Sequence, residues 1–291
     1  MSDTSSLHLP VASSAMIQTD SSKLFPDDRR ALEQAVRALE HTNLATRLAT
    51  LVGRQLGSLS RFLPMGVSGL VNRAAEKAIG AALSVALGSL QKQKKPMRNS
   101  RLVHRAMAAA SGAAGGLFGL SSLAVELPVS TVIILRAIAD IARDEGEDLT
   151  DPAVALACLE VFALGAHEAG DDFTDSGYFA TRGLLAKTVS EASRYAVQRG
   201  AADGAAPAMI RLVSQIGARF GIVVSEKLAA QAVPIVGAAG GAAVNYAFVE
   251  HFQSIAFGHF TVRRLEKVYG TDVVQAEYRK LHSEYMLTAA A

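Results

Sequence analysis

Apolar residues recur at helical spacing along almost the whole chain. "FPDDRRALEQAVRALE" places Leu32, Ala35, Val36 and Leu39 on one face. Pro26 and the acids Asp27 and Asp28 suit a first turn, where free backbone N–H groups favour negative charge. The period resumes at Leu44, Leu48, Leu51, Val52, Leu56 and Leu59, and "FLPMGVSG" then breaks it at Pro64 and Gly66. Further helices are predicted over "LVNRAAEKAIGAALSVALGSL", over "ELPVSTVIILRAIADIAR" with Gly146 beyond its end, and over the apolar run after Asp151-Pro152. If one helix continues through "NYAFVEHFQSIAFGHFTVRRLEKVYG", then Asn245, Phe252, His259 and Glu266 share a face, with Arg263 one turn from His259. "VVQAEYRKLHSEYM" supplies a last amphipathic helix. No stretch alternates as a strand would, so the fold class is all-α, a multi-helix bundle with long Gly/Ala-rich apolar helices.

Composition agrees with this pattern. Half of the 291 residues are apolar, 19% are charged, and the 24 glycines are not matched by any tryptophan. Such a chain packs helices closely through small residues. Gly112, Gly116, Gly237, Gly240 and Gly241 are the candidates for that role. Residues 1–25 are Ser/Thr-rich without a basic segment before an apolar core, and read as a disordered leader rather than a signal peptide. Residues 26–290 form one helical domain, divided into N-terminal helices (26–90), a basic linker (91–105) and a core (106–290). The lone Cys158 excludes a disulfide framework and a multi-Cys metal site.

Charge is unevenly spread. Residues 1–105 carry 15 Lys/Arg against 7 Asp/Glu, and residues 106–291 carry 14 against 20. The imbalance fits an anionic partner for the first half, and equally an internal dipole between packed halves. Arg47, Arg54 and Arg61 recur every seven residues, as an amphipathic helix on an anionic membrane or an ordinary surface helix would have them. Lys92, Lys94 and Lys95 begin a run without acids that could hold lipid phosphates or serve as a solvated linker. Nucleic acid is disfavoured, because no aromatics interleave for stacking. Residues 106–125 and the run Leu228–Val249 are uncharged. Ala, Gly and Ser dominate the first, and Pro234 and three glycines interrupt the second, which favours tight packing over membrane spanning.

The chemistry-bearing patterns are few. "HEAGD" lacks the second histidine of a zinc helix, "GVSG" is one residue short of a nucleophile elbow, and the glycines at 237, 240 and 241 follow no strand. The acidic stretch with His167, Glu168, Asp171, Asp172 and Asp175 matches no cation-binding spacing. No metal and no cofactor are expected. Two polar constellations remain. In one, His259 with Arg263, Glu266 and Asn245 could do acid–base work or fix helix register. In the other, Glu126, Arg136, Asp140 and Glu160 form a polar network, with Arg136 or Arg182 as the partner of Glu160.

"ELPVSTVIILRAIADIARDEGEDL", "VALACLEVFALGA", "SGYFATRGLLA" and "VPIVGAAGGAAVNYAFVEHFQSIAFGHFTVRRLEKVYG" resemble the EcsC protein family. The resemblance covers roughly residues 30 to 280 and is specific over 126–165 and 233–270. It implies a bacterial, helical, membrane-associated protein, named after a locus that also encodes an ABC transporter, and it implies no reaction. The resulting expectation is a cytoplasmic protein peripheral to the inner membrane face. It is non-catalytic, binds an anionic surface or a membrane or protein partner, and is accessory to a transporter. An uncharacterised hydrolase built on His259 is the alternative.

Overall fold

The computed structural model describes residues 24–40, 44–51, 67–89, 105–106, 123–166, 177–199, 206–231 and 237–289. Every regular element among them is an α-helix: α1 (Pro26–Glu40), α2 (Leu44–Leu51), α3 (Val67–Gly88), α4 (Leu123–Asp144), α5 (Pro152–Leu164), α6 (Gly177–Arg199), α7 (Pro207–Gln231), α8 (Gly237–Tyr269) and α9 (Thr271–Ala289). The predicted all-α class holds.

Local signals account for several boundaries. Asp151 caps α5 by accepting from Ala153 N at 2.8 Å, with Pro152 at the first helical position. Gly146, at φ +85°, stops α4: its N–H reaches Arg143 O and that of Glu147 reaches Ala142 O, the paired closure of a Schellman end. Gly270, at φ +87°, separates α8 from α9.

α8 is the axis of the fold. Its 33 residues extend about 50 Å. α1 and then α2 run antiparallel along it, as the pairings of Arg264 with Asp28, Gly258 with Leu39 and Glu250 with Arg47 require. α5 is apolar all round, and every residue from Val154 to Leu164 is buried, as such a helix demands. Phe162 of α5, Phe220 of α7 and Phe248 and Phe252 of α8 meet at its centre, with ring centroids 5.1 to 6.1 Å apart. One continuous core runs from Leu32 to Leu281, so the N-terminal helices share it with the later ones.

Glycines that were not singled out in the sequence bring helices together. Gly217 and Gly221 of α7 face α3, where an added Cβ would lie 2.8 Å from Glu76 Cγ and 2.6 Å from Asn72 Oδ1. Gly258 of α8 faces α1, with Leu39 Cγ at 2.6 Å and Ala35 O at 3.0 Å from such a Cβ. Gly112 and Gly116 lie outside the described residues, Gly237 opens α8, and Gly240 and Gly241 are half-buried and buried in its first turns. The run Leu228–Val249 is divided between α7 and α8, which ends its reading as a single span. Pro234 lies outside the described residues. Among the described helices α7 alone is long and apolar enough to cross a membrane, yet it packs against α3, α5, α6 and α8.

Gly258→Val should cost about 1–3 kcal/mol, because the Ala35 carbonyl cannot yield as a side chain would. Gly80→Ala, with nothing within 4 Å, should instead be neutral or stabilising by up to about 1 kcal/mol. Urea titrations of the two variants give the comparison.

Candidate functional site

Asn245, Phe252 and His259 are fully buried along one side of α8, and Glu266 follows one heptad later. The first two turns of α6 lie beside the C-terminal half of this stripe and supply what the sequence did not announce. Tyr178 Oη lies 3.1 Å from His259 Nδ1, and Arg182 Nη1 donates to the same phenol at 3.2 Å. Arg182 then grips Glu266 with two bonds of 3.0 and 3.1 Å. The phenol accepts from the guanidinium and donates to Nδ1, which places the ring proton of neutral His259 on Nε2. Nε2 has no hydrogen-bond partner among the described residues. Burial, and then the charges of Arg182 and Arg263, hold His259 well below the usual histidine range.

The predicted constellation is therefore taken apart. His259 bonds Tyr178, Glu266 is held by Arg182, and Arg263 Nε donates to Glu147 at 3.0 Å. Lys267 donates to the other Glu147 oxygen at 2.8 Å. Glu266 is bonded to Arg182 through both oxygens, and the imidazole is oriented by Tyr178 instead. Cys158, in the same core, is pushed up to about 12 by burial and stays a thiol.

The second predicted network is also dispersed. Glu126 pairs with Lys227 at 2.9 Å, Asp140 with Arg143 at 2.9 Å, and Arg136 is exposed. Among the described residues no hydrogen bond or ion pair joins Glu126, Arg136, Asp140 and Glu160 to one another. Of the two partners expected for Glu160, Arg182 is the one whose charge reaches it.

Glu160 is 6% exposed. Burial raises its carboxyl to about 6, against the charges of Arg182 and Arg263 and with that of Glu266. A raised acid makes the folded state bind more protons than the unfolded one. Its contribution is thus full below pH 4.5 and is lost as pH rises through about 6, a loss of roughly 2 kcal/mol. His259 works in the opposite sense, since its depressed value costs stability as pH falls below 6.5. The stability difference between Glu160→Gln and wild type isolates the first effect. It should shift by about 2 kcal/mol in favour of the variant across that window, and a flat difference in pH-dependent denaturation would contradict it.

The accessible concavity lies at the other end of α8. Arg47, Thr50 and Leu51 of α2 and Ala243, Tyr246 and Glu250 of α8 line a groove of about 650 Å3. Its walls are mainly apolar and its polar groups sit at one rim. Glu250 bonds Arg47 and lies 3.4 Å from Arg105 Nη1. Arg105 also donates to Gln253 at 2.5 Å and to the Tyr246 hydroxyl at 3.1 Å, with its guanidinium 5.4 Å from that ring. Arg47, expected on an open basic stripe, is instead engaged at this rim. Arg54, Arg61, Lys92, Lys94 and Lys95, like His167, Glu168, Asp171, Asp172 and Asp175, lie outside the described residues. Among the described residues no group of three His, Cys, Asp or Glu side chains could hold a metal.

Sequence reasoning missed Tyr178 and Lys227, and it placed Arg105 only in the basic run. Lys227, which with Glu226 interrupts the apolar residues 220–230 of α7, carried a signal that could have found it. Comparison with known proteins returns one match: the family model of the EcsC protein family, over residues 27–265. No curated protein and no solved structure matches the chain.

Proposed function

The chain belongs to the EcsC protein family, and from that premise we propose that it is a non-catalytic interaction protein seated on an anionic membrane surface. The observation that carries this reading is the contrast between the two ends of α8. The one histidine with acid–base potential there is 0% exposed and bonded to a tyrosine, whereas the open groove is apolar and rimmed by arginines. A hydrolase on His259 would need substrate to reach a ring that no solvent touches. Arg105 closes the basic run begun by Lys92, Lys94 and Lys95, so that run ends at the groove rim. An accessory role beside a membrane complex such as a transporter fits this placement.

Co-sedimentation with phosphatidylglycerol vesicles tests the reading. Binding should fall with salt, and Lys92/Lys94/Lys95→Glu should lower it on the order of a hundredfold, at about 1 kcal/mol per basic residue. A carbonate wash should release the protein. Equal recovery in the soluble fraction under all these conditions would remove the proposal.

A further inference from the structure

We infer that the α2–α8 groove takes one acyl chain of an anionic phospholipid drawn from the bilayer, with the headgroup at Arg47 and Arg105. This deepens the membrane-surface reading and rests on it. The floor runs from Ala242 to Glu250, about 12 Å along the helix. Along it Ala242, Ala243 and Ala247 offer only methyl groups, and Leu51 closes the far wall. Thr50, the hydroxyl beside Leu51, already donates to Thr46 O at 3.0 Å. A peptide laid there would leave backbone amides without partners, whereas an alkyl chain needs none.

Charge sets the other half of the ligand. Two guanidiniums meet a single carboxylate at the rim, so one positive charge remains after Glu250 is counted. Tyr246 is 37% exposed and stacks under Arg105, an aromatic ring at the boundary between apolar floor and charged rim. Aromatic rings of this kind sit at the headgroup level of a bilayer. Arg105, the last residue of the basic run in the sequence, stands at this rim, and such a run favours an anionic surface.

The chain has no tryptophan, so Tyr246→Trp in the full-length protein gives a single reporter at the groove lip. It is mixed with vesicles of phosphatidylcholine brominated midway along its acyl chains, with vesicles that contain added phosphatidylglycerol, and with the latter vesicles in which the phosphatidylglycerol is brominated at the same position. The expected result is a roughly twofold quench by the brominated anionic lipid and none with phosphatidylcholine vesicles. Ala243→Phe and Thr50→Phe fill the groove from opposite walls, and whichever keeps the wild-type circular dichroism should lose most of the quench while still sedimenting with anionic vesicles. Sedimentation without quenching overturns the inference and leaves the membrane-surface reading standing. Failure to sediment with any vesicle overturns both. Quenching that survives a folded groove-filling variant, or that ignores headgroup charge, also overturns the inference.

Discussion

Lys227→Met should destabilise the protein by about 3–5 kcal/mol, a drop of about 10 °C in Tm for a chain of this size. Lys227 is 2% exposed, and its ammonium lies 2.9 Å from Glu126 and 4.9 Å from the centre of the Phe248 ring. Burial lowers its pKa, and the Glu126 carboxylate acts against that shift. Methionine fills the same channel but takes away the ammonium that lies 2.9 Å from the Glu126 carboxylate, which is 10% exposed. The cost is expected to come from the loss of this buried ion pair rather than from lost packing. The pair Lys227→Met, Glu126→Leu should recover most of the loss, because replacing a whole buried ion pair by apolar groups is close to neutral. Thermal and urea denaturation of the two single variants and the pair would decide it. A double variant as unstable as the single one would show that Lys227 acts through its packing.

Arg182→Met is expected to cost a similar amount, about 3 kcal/mol or more. Arg182 joins α6 to α8 through both oxygens of Glu266 and also donates to Tyr178. Burial alone would depress its pKa, but Tyr178 and Glu266 outweigh that effect and raise it, so the guanidinium is charged throughout the accessible range. Removing it strands Glu266 and takes a donor from the phenol that faces His259. Arg182→Lys should restore only part of the loss, since an ammonium cannot make the two parallel bonds. A double-mutant cycle with Glu266→Gln isolates the coupling, which should exceed 1 kcal/mol. Additive losses would mean that the two side chains stabilise the fold independently.

The sequence made legible whatever depends on neighbours in the chain. The continuity of α8, the Asp151-Pro152 start of α5 and the stop at Gly146 each rest on periodicity or capping within a few residues. The heptad spacing also placed Asn245, Phe252 and His259 together on a buried side. What it could not give was who faces them. His259 looked toward Glu266 because the two share a helix face, whereas its partner Tyr178 comes from a helix 81 positions earlier. The same holds for Glu126, whose mate lies 101 positions away on α7. Periodicity fixes the face of a helix and leaves open the neighbour that covers it. Close-packing glycines illustrate this further. Gly217 and Gly221 lie four apart on one face of α7 and Gly258 sits singly in α8, while the sequence drew attention to Gly237, Gly240 and Gly241 as opening one face of a helix.

The first helix is completed by the last two. α1 sets Asp28 against Tyr269, Arg29 against Glu277, Leu39 against Gly258 and Glu40 against Tyr278. These partners are separated by more than 200 positions, so during synthesis the apolar face of α1 emerges from the ribosome long before anything exists to cover it. For that interval Leu32, Val36 and Leu39 are a natural hold for a chaperone. A chain arrested before α8 would present the same face permanently.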